Sequence, residues 1–278
     1  MKILYGVQGT GNGHIARARI MAAAMAERDD IEVDFIFSGR AADDYFDMEC
    51  FGEYRTFSGL TFATRKGQVS QWETLKNARP LQLYRDIQQL DVSGYDLLLN
   101  DFEPVTAWAA RRQGLTSISV SHQAAFSHDI PRASEHFTDK LIMRSFAPTN
   151  IQLGVHWFHF EKPIVPPFIT DKPAPHPTNS HTLVYLPFEE LDDIQLLLEP
   201  LTEQHFVCFH PKVKQQHTQG HIDWHPPSKP GFRHALQHCS GVISNGGFEL
   251  ASESLQLKKK LLVKPLNGQF EQLSNLKT

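Results

Sequence analysis

The stretch Ile3-Leu4-Tyr5-Gly6-Val7, followed after Gln8 by Gly9-Thr10-Gly11-Asn12-Gly13-His14, decides how the chain is read. A short apolar run ends in a glycine-rich turn, and an alanine-rich helical segment follows from about Ile15 to Arg28. Glycines in such a turn let backbone N–H groups approach a ligand, and the helix N-terminus that follows favours negative charge. The same residues also suit a tight strand–helix turn that binds nothing. The glycines run G-x-G-x-G, not G-x-G-x-x-G, and the next apolar run ends in Ser38-Gly39-Arg40 with no acidic residue for a ribose, so the dinucleotide fingerprint is not met.

Outward from this turn the alternation repeats. Val33 to Phe37 and Tyr95 to Leu99 read as strands, the latter ending at Asn100-Asp101. A helix from Pro104 to Gln113 and a strand from Ser117 to Val120 follow. Strand–helix alternation is the signature of a parallel sheet covered on both faces. Residues 56 to 90 form a longer polar excursion with one helix near its end. Its Phe57, Phe62 and Trp72 either line a ligand groove or pack internally. Prolines in Glu161-Lys162-Pro163-Ile164-Val165-Pro166-Pro167-Phe168 stop regular structure and mark a hinge, and residues 171 to 180 continue it as a polar loop. The alternation then restarts: strand Leu183 to Leu186, helix Leu191 to Leu201, strand Phe206 to Phe209, a histidine-rich loop, a helix near Phe232 to His238, strand Gly241 to Ser244, helix Phe248 to Leu257 and strand Leu261 to Val263. The expected fold is α/β, with two Rossmann-like domains over residues 1–165 and 166–278.

Composition narrows the partners. A chain of 278 residues suits two domains of about 100–150 residues each. With 41% hydrophobic and 21% charged residues it can bury two cores. A net charge of −4 without a basic stripe speaks against nucleic acid; Arg111-Arg112 and Lys258-Lys259-Lys260 read as solvated faces. Cys50, Cys208 and Cys239 are an odd set without metal spacing, which fits reduced thiols in a cytoplasmic protein. No apolar leader or long apolar span is present, so neither a signal peptide nor a membrane helix is expected. His217, His221 and His225 are spaced like ligands on a helix, yet Gly220 and Pro226-Pro227 argue for a loop and no cysteine or carboxylate completes a site. No metal and no cofactor is expected.

A second cluster repeats the physics of the first. Ser244-Asn245-Gly246-Gly247-Phe248-Glu249 joins a strand to a helix that carries Glu253, and Gly268-Gln269-Phe270-Glu271-Gln272 follows the next strand. Backbone amides at that helix start can hold a diphosphate, and a helical carboxylate can accept hydrogen bonds from ribose hydroxyls. A capped helix with a polar surface loop is the plain alternative.

Together these motifs resemble a GT-B glycosyltransferase, two Rossmann-like domains facing across a cleft. The narrower group is bacterial and archaeal. It is related to the N-acetylglucosaminyl transferase of peptidoglycan synthesis (MurG) and, more distantly, to UDP-glucuronosyl- and plant UDP-glucosyltransferases. Gly9 to Ile15 is similar to the first-strand loop G-G-x-G-H-I. Ser244 to Glu253, Leu261 to Pro265 and Gly268 to Asn275 are similar to the donor signature, and Asn100 to Pro104 with Ser121-His122-Gln123 fits the narrower group. The resemblance implies sugar transfer from a UDP-sugar co-substrate with inversion. It implies that Glu253 binds the ribose, Glu271 and Gln272 bind donor sugar hydroxyls, and His14 is the general base. Ser244, Asn245, Gly246, Gly247, Phe248 and Gln269 complete the donor set; Gly9, Thr10, Gly11, Asn12 and Gly13 form the N-terminal loop. Lys258-Lys259-Lys260 departs from the Gly-Lys-Pro of many relatives, and the chain stops soon after the donor motif, so a C-terminally shortened second domain is expected.

A histidine titrates near neutrality and can take a hydroxyl proton from an acceptor. Asp101, at a strand end, either orients His14 or caps the helix at Pro104, and His122 is a rival base. No D-x-D motif occurs, so the leaving diphosphate is expected to be neutralised by helix dipoles and backbone donors, without a metal. The acceptor is open: a carbohydrate, a lipid-linked molecule or a small molecule, with peripheral membrane contact and self-association also left open. Two rivals remain, a UDP-sugar 2-epimerase and a nucleotide-sugar-binding protein without turnover.

Overall fold

The computed structural model describes residues 1–60, 63–65, 68–70, 79–133, 143–169, 181–266 and 268–277. They fall into two compact units. One comprises Met1–Ala63 with Gln71–Phe168, and the other Thr64–Ser70 with Ile169–Lys277. Phe62 and Trp72 and the loop at 171–180 lie outside the described residues.

In the first unit the elements run β1 (Lys2–Gln8), α1 (Asn12–Ala26), β2 (Glu32–Ser38) and β3 (Tyr54–Phe57). Next in the chain come the short strands β4 (Ala63–Arg65) and β5 (Gln68–Ser70), which form a two-stranded sheet of their own; Thr64–Ser70 belongs to the second unit. Then follow α2 (Pro80–Gln89), β6 (Leu97–Asp101), α3 (Pro104–Gln113), β7 (Ser117–Ser121), α4 (His122–Ala125), β8 (Ile151–Val155) and β9 (Ile164–Val165). Seven strands make one sheet in the order β3-β2-β1-β6-β7-β8-β9, and every pairing is parallel. After β1 the chain builds outward to β2 and β3, then crosses to β6 on the other side. That reversal makes a switch point between β1 and β6, where open α/β sheets hold ligands at the carboxyl ends of their strands. Leu4, Ile36 and Leu98 point to one face and pack with Val105, Ala109 and Ala110 of α3. Tyr5, Phe35 and Phe37 form an aromatic cluster with Phe51. Phe57 packs on the α3 core as a partly buried residue.

In the second unit the order is β10 (His181–Tyr185), α5 (Leu191–Leu198), β11 (His205–Phe209), β12 (His217–Gln219), β13 (Ile222–His225), α6 (Lys229–His238), β14 (Gly241–Ser244), α7 (Phe248–Gln256), β15 (Lys260–Val263) and α8 (Phe270–Asn275). The sheet order is β12-β13-β11-β10-β14-β15, with β12 alone antiparallel. Its switch point lies between β10 and β14. The period of two along β10 is visible in its packing. Val184 joins a core with Ile194, Leu198 and Phe206, whereas Leu183 joins the opposite core with Ala235, Leu236 and Val242. Helices α5 and α6 therefore cover opposite faces.

Two local expectations are corrected. The histidine-rich segment forms an antiparallel hairpin, β12–β13, turning at Gly220 with φ +60°, and β13 extends the parallel ladder beside β11. Ile222 and Trp224 alternate into the core, which pulls the segment into the sheet despite its polar composition. The proline cluster at 161–168 likewise contains an edge strand, because Ile164 and Val165 pair with Gly154 and Val155 before Pro166 ends the ladder. No helix among the described residues is long and apolar enough to cross a membrane.

Candidate active site

In the first unit, α1 begins at Asn12, three residues earlier than the alanine-rich pattern indicates. Asn12 and Gly13 are weak helix formers, but the turn is pinned from outside. Arg40 donates from Nε to the Gly9 carbonyl and from both terminal nitrogens to Asn12 Oδ1 at 3.1 Å. Gln8 Nε2 donates to Thr10 Oγ1 at 2.8 Å and to the Leu60 carbonyl at 2.8 Å. A Cβ on Gly9 would lie 2.3 Å from Tyr45 Oη, so glycine is required there by close approach, whereas a Cβ on Gly11 would meet nothing.

His14 thus sits in the first turn of α1, and it meets Asp101, the last residue of β6. His14 Nδ1 is 2.7 Å from Asp101 Oδ1. Arg17, one turn further along α1, donates from Nε to Asp101 Oδ2 at 2.8 Å and from Nη2 to Asp101 Oδ1 at 2.8 Å. Asp101 is completely buried and Arg17 is 2% exposed, while the His14 side chain keeps 15% of its surface. Burial pushes the Asp101 carboxyl up, but the Arg17 guanidinium and His14 outweigh it and hold it below its ordinary value. An ionised carboxylate only accepts, so the His14 Nδ1 carries a proton and donates it to Asp101. The Nε2 lone pair is then available as a base.

Glu103 explains why Asp101 is available for this. Glu103 caps α3, accepting from Val105 N–H at 2.8 Å, Thr106 N–H at 2.7 Å and Thr106 Oγ1 at 2.6 Å, with Ser38 Oγ donating at 2.6 Å. The chain passes between the two acids through Phe102 at φ +55°, a left-handed conformation uncommon outside glycine. Of the two alternatives left open for Asp101, the cap therefore belongs to Glu103. Burial raises the Glu103 pKa, against the opposing pull of its four hydrogen bonds.

Sequence reasoning missed Arg17. Its signal was present: buried residues of α1 are Ile15, Arg17, Ala18 and Ala22, so an arginine stands on the inward face of an apolar helix, three residues after His14. His122 begins α4 behind its Ser121 cap. It is 1% exposed, its Nδ1 lies 2.9 Å from the Val155 carbonyl, and it sits among Phe126, His156 and Trp157.

The second unit presents a different construction at its own switch point. Ser244 ends β14 and bonds its hydroxyl to the Asn245 carbonyl at 2.9 Å. Gly246 N–H donates to Gln272 Oε1 at 3.0 Å, and the same oxygen accepts Leu266 N–H at 2.7 Å. Asn275 Nδ2 donates to the Gly246 carbonyl at 2.9 Å, and Asn245 Nδ2 to the Lys264 carbonyl at 3.0 Å. A Cβ on Gly246 would come within 2.9 Å of Gln272, while Gly247, the N-cap of α7, faces open space. Phe248 is buried, and Glu253 lies half-buried on α7. Gln269 caps α8 by accepting Gln272 N–H at 3.1 Å, and Glu271 lies half-buried in its first turn. Gln272, at 4% exposure, is thus engaged in holding the glycine loop.

The three spaced histidines are dispersed over the hairpin. His217 is exposed, His221 Nε2 lies 3.0 Å from the Leu198 carbonyl, and His225 stacks on Phe209 with centroids 4.8 Å apart.

Solved glycosyltransferases share this fold. The chain superposes on MurG from Acinetobacter baumannii with a TM-score of 0.56 at 12% identity, covering 99% of this chain and 82% of that one. A UDP-glucosyltransferase from Polygonum tinctorium that glucosylates indoxyl gives 0.63 at 16% identity, with 99% and 81% covered. UGT2 of Phytolacca americana, solved with UDP-2-fluoro-glucose and pterostilbene, gives 0.56 at 13% identity, with 99% and 82% covered. At such identities the likeness establishes the fold, which is GT-B. No curated protein matches the sequence. A family model for glycosyl transferase family 1 matches residues 1–277, and the chain belongs to that family of sugar-transferring enzymes.

Proposed function

We propose that the enzyme transfers a sugar from a UDP-linked donor to an acceptor hydroxyl, with inversion and without a metal. The observation that carries this reading is the His14–Asp101–Arg17 arrangement at the carboxyl edge of the first sheet, a charge-compensated carboxylate holding an imidazole with its second nitrogen available. In the reaction His14 Nε2 takes the proton of the acceptor hydroxyl as its oxygen bonds to the anomeric carbon. The bond from that carbon to the diphosphate breaks, and UDP departs with the electron pair. The second unit binds the donor. Gly246 and Gly247 let the diphosphate approach the N-terminus of α7, Glu253 accepts from the ribose hydroxyls, and Glu271 faces the sugar. Gln272 acts chiefly by fixing the loop. The UDP-containing plant structure supports the choice of nucleotide by likeness of fold and motif.

The test is a UDP titration by calorimetry with the unmodified protein and Glu253→Ala. Loss of a charge-assisted hydrogen bond should weaken UDP binding by about 1.5–3 kcal/mol. Unchanged affinity in a folded variant removes Glu253 from the site. Incubation of a UDP-sugar without acceptor separates transfer from epimerisation, because only an epimerase interconverts the sugar alone.

A further inference from the structure

Two lysine–glutamate pairs stand at the carboxyl edge of the second sheet, on consecutive residues of the loop after β10. Lys212, beyond β11, pairs with Glu190, and both side chains are about half exposed. Lys264, the first residue after β15, is different. Its Nζ lies 2.5 Å from Glu189 Oε1, and the glutamate side chain is 6% exposed while the lysine keeps 51%. The Lys264 backbone is also registered on the glycine loop, donating to the Ser244 carbonyl at 2.8 Å and accepting from Asn245 Nδ2 at 3.0 Å. In the sheet β10, β14 and β15 are neighbours in that order. The Lys264 side chain therefore spans from the end of β15 to the loop after β10, across the end of β14 where Asn245-Gly246-Gly247 begin. Asn245 Oδ1, buried at the same place, has no hydrogen-bond partner.

A donor diphosphate at this loop needs more positive charge than the loop itself offers. A helix N-terminus supplies about half an elementary charge. The buried Glu189 carboxylate would repel a phosphate unless it is neutralised. The ion pair with Glu189 holds the ammonium at the end of the loop, and an ammonium carries N–H donors that can reach phosphate oxygens. We propose that Lys264, aimed by Glu189, is the cation that binds and neutralises the donor diphosphate. This rests on the UDP-sugar reading above and adds the group that takes up the leaving charge in a metal-free transfer.

The experiment measures UDP and uridine binding by calorimetry at two salt concentrations, for the unmodified protein, Lys264→Met, Lys264→Arg and Lys212→Met, with thermal unfolding to confirm each fold. Lys264→Met should weaken UDP about 10–100-fold, leave uridine unchanged and flatten the salt dependence. Lys264→Arg should retain most of the affinity, and Lys212→Met should bind UDP as the unmodified protein does. UDP bound equally well by Lys264→Met overturns the assignment. So does an equal loss for UDP and uridine, which would mean a collapsed loop, or an equal loss in Lys212→Met, which would mean a general surface field. An unmodified protein that binds neither UDP nor uridine overturns the donor reading itself, and this inference with it.

Discussion

The two units share a sheet plan yet finish their switch points with opposite chemistry. In the first, the loop after β1 and the end of β6 bring together three ionisable side chains, His14, Asp101 and Arg17, with the two charged partners almost wholly buried. In the second, the loop after β14 is held by neutral amides, Asn245, Gln272 and Asn275, each bonded to backbone. A charged cluster in a dry setting has large electrostatic leverage on a proton. An amide scaffold fixes the backbone, with a half-exposed lysine beside it. On the proposed reading, the same topology serves proton transfer in one unit and anion binding in the other.

The largest expected effect tests the proton side alone. His14→Ala should lower turnover by about 10²–10⁴-fold, the usual worth of a general base, with UDP affinity unchanged. Full turnover would make His14 structural and return attention to His122. The next effect compares how each unit is held. Arg17→Met leaves the Asp101 charge buried without its fork and should cost about 3–5 kcal/mol of stability, most of it recovered in the double variant with Asp101→Leu. Gln272→Ala strands the Gly246 and Leu266 N–H groups and should cost about 1–3 kcal/mol for each left without a partner. Chemical denaturation measures both; failure of the Asp101→Leu double variant to recover the loss in Arg17→Met would erase the contrast between a charged and a neutral scaffold.

The smallest effect is a pH slope. Burial lowers the pKa of His156 to about 4, followed in effect by nearby His122, and its Nδ1 accepts the Trp157 N–H at 2.9 Å, as a neutral ring must. Desolvation also lowers His181, His210 and His225 in the second unit. A histidine depressed in the fold stabilises fully above about pH 6.5, and that stability is lost as pH falls toward the folded value, because the unfolded chain takes up the proton first. Each such group contributes a slope of at most about 1.4 kcal/mol per pH unit. Melting curves between pH 6.5 and 4 should show this decline, and His156→Gln should make it shallower. Asp101, like Asp30, Asp91 and Asp223, is lowered from the ordinary 3.8 and acts only below it, so a decline confined to that range would assign acid sensitivity to the carboxylates instead.

Much of the architecture was legible because buried parallel strands are short apolar runs and their covering helices differ in period. The segments at Pro104–Gln113 and Gly241–Ser244 were readable to the residue. Edge elements were less so. β3, β8, β9 and the β12–β13 hairpin carry few buried side chains of their own, and their place is set by the neighbouring strand. In the first site the pairing of His14 with Asp101 was one of two alternatives, because a carboxylate at a strand end serves equally as a cap. Only the presence of Glu103 on that cap decides between them. Arg17 was hidden because arginine usually marks a solvated face, and the partner that makes it a buried residue lies 84 positions away.

The distribution of the thiols gives the molecule a built-in probe. Cys50 is exposed in the first unit, whereas Cys208 and Cys239 are both buried in the second, one in each of the two cores that flank its sheet. Burial pushes the Cys208 thiol up to about 12 and raises that of Cys239, so neither forms the reactive thiolate while its core is closed. A maleimide label therefore marks the first unit once and at a single position. Subsequent labelling counts openings of the second unit, and the protein reports the separate stability of its two halves without any change to its sequence.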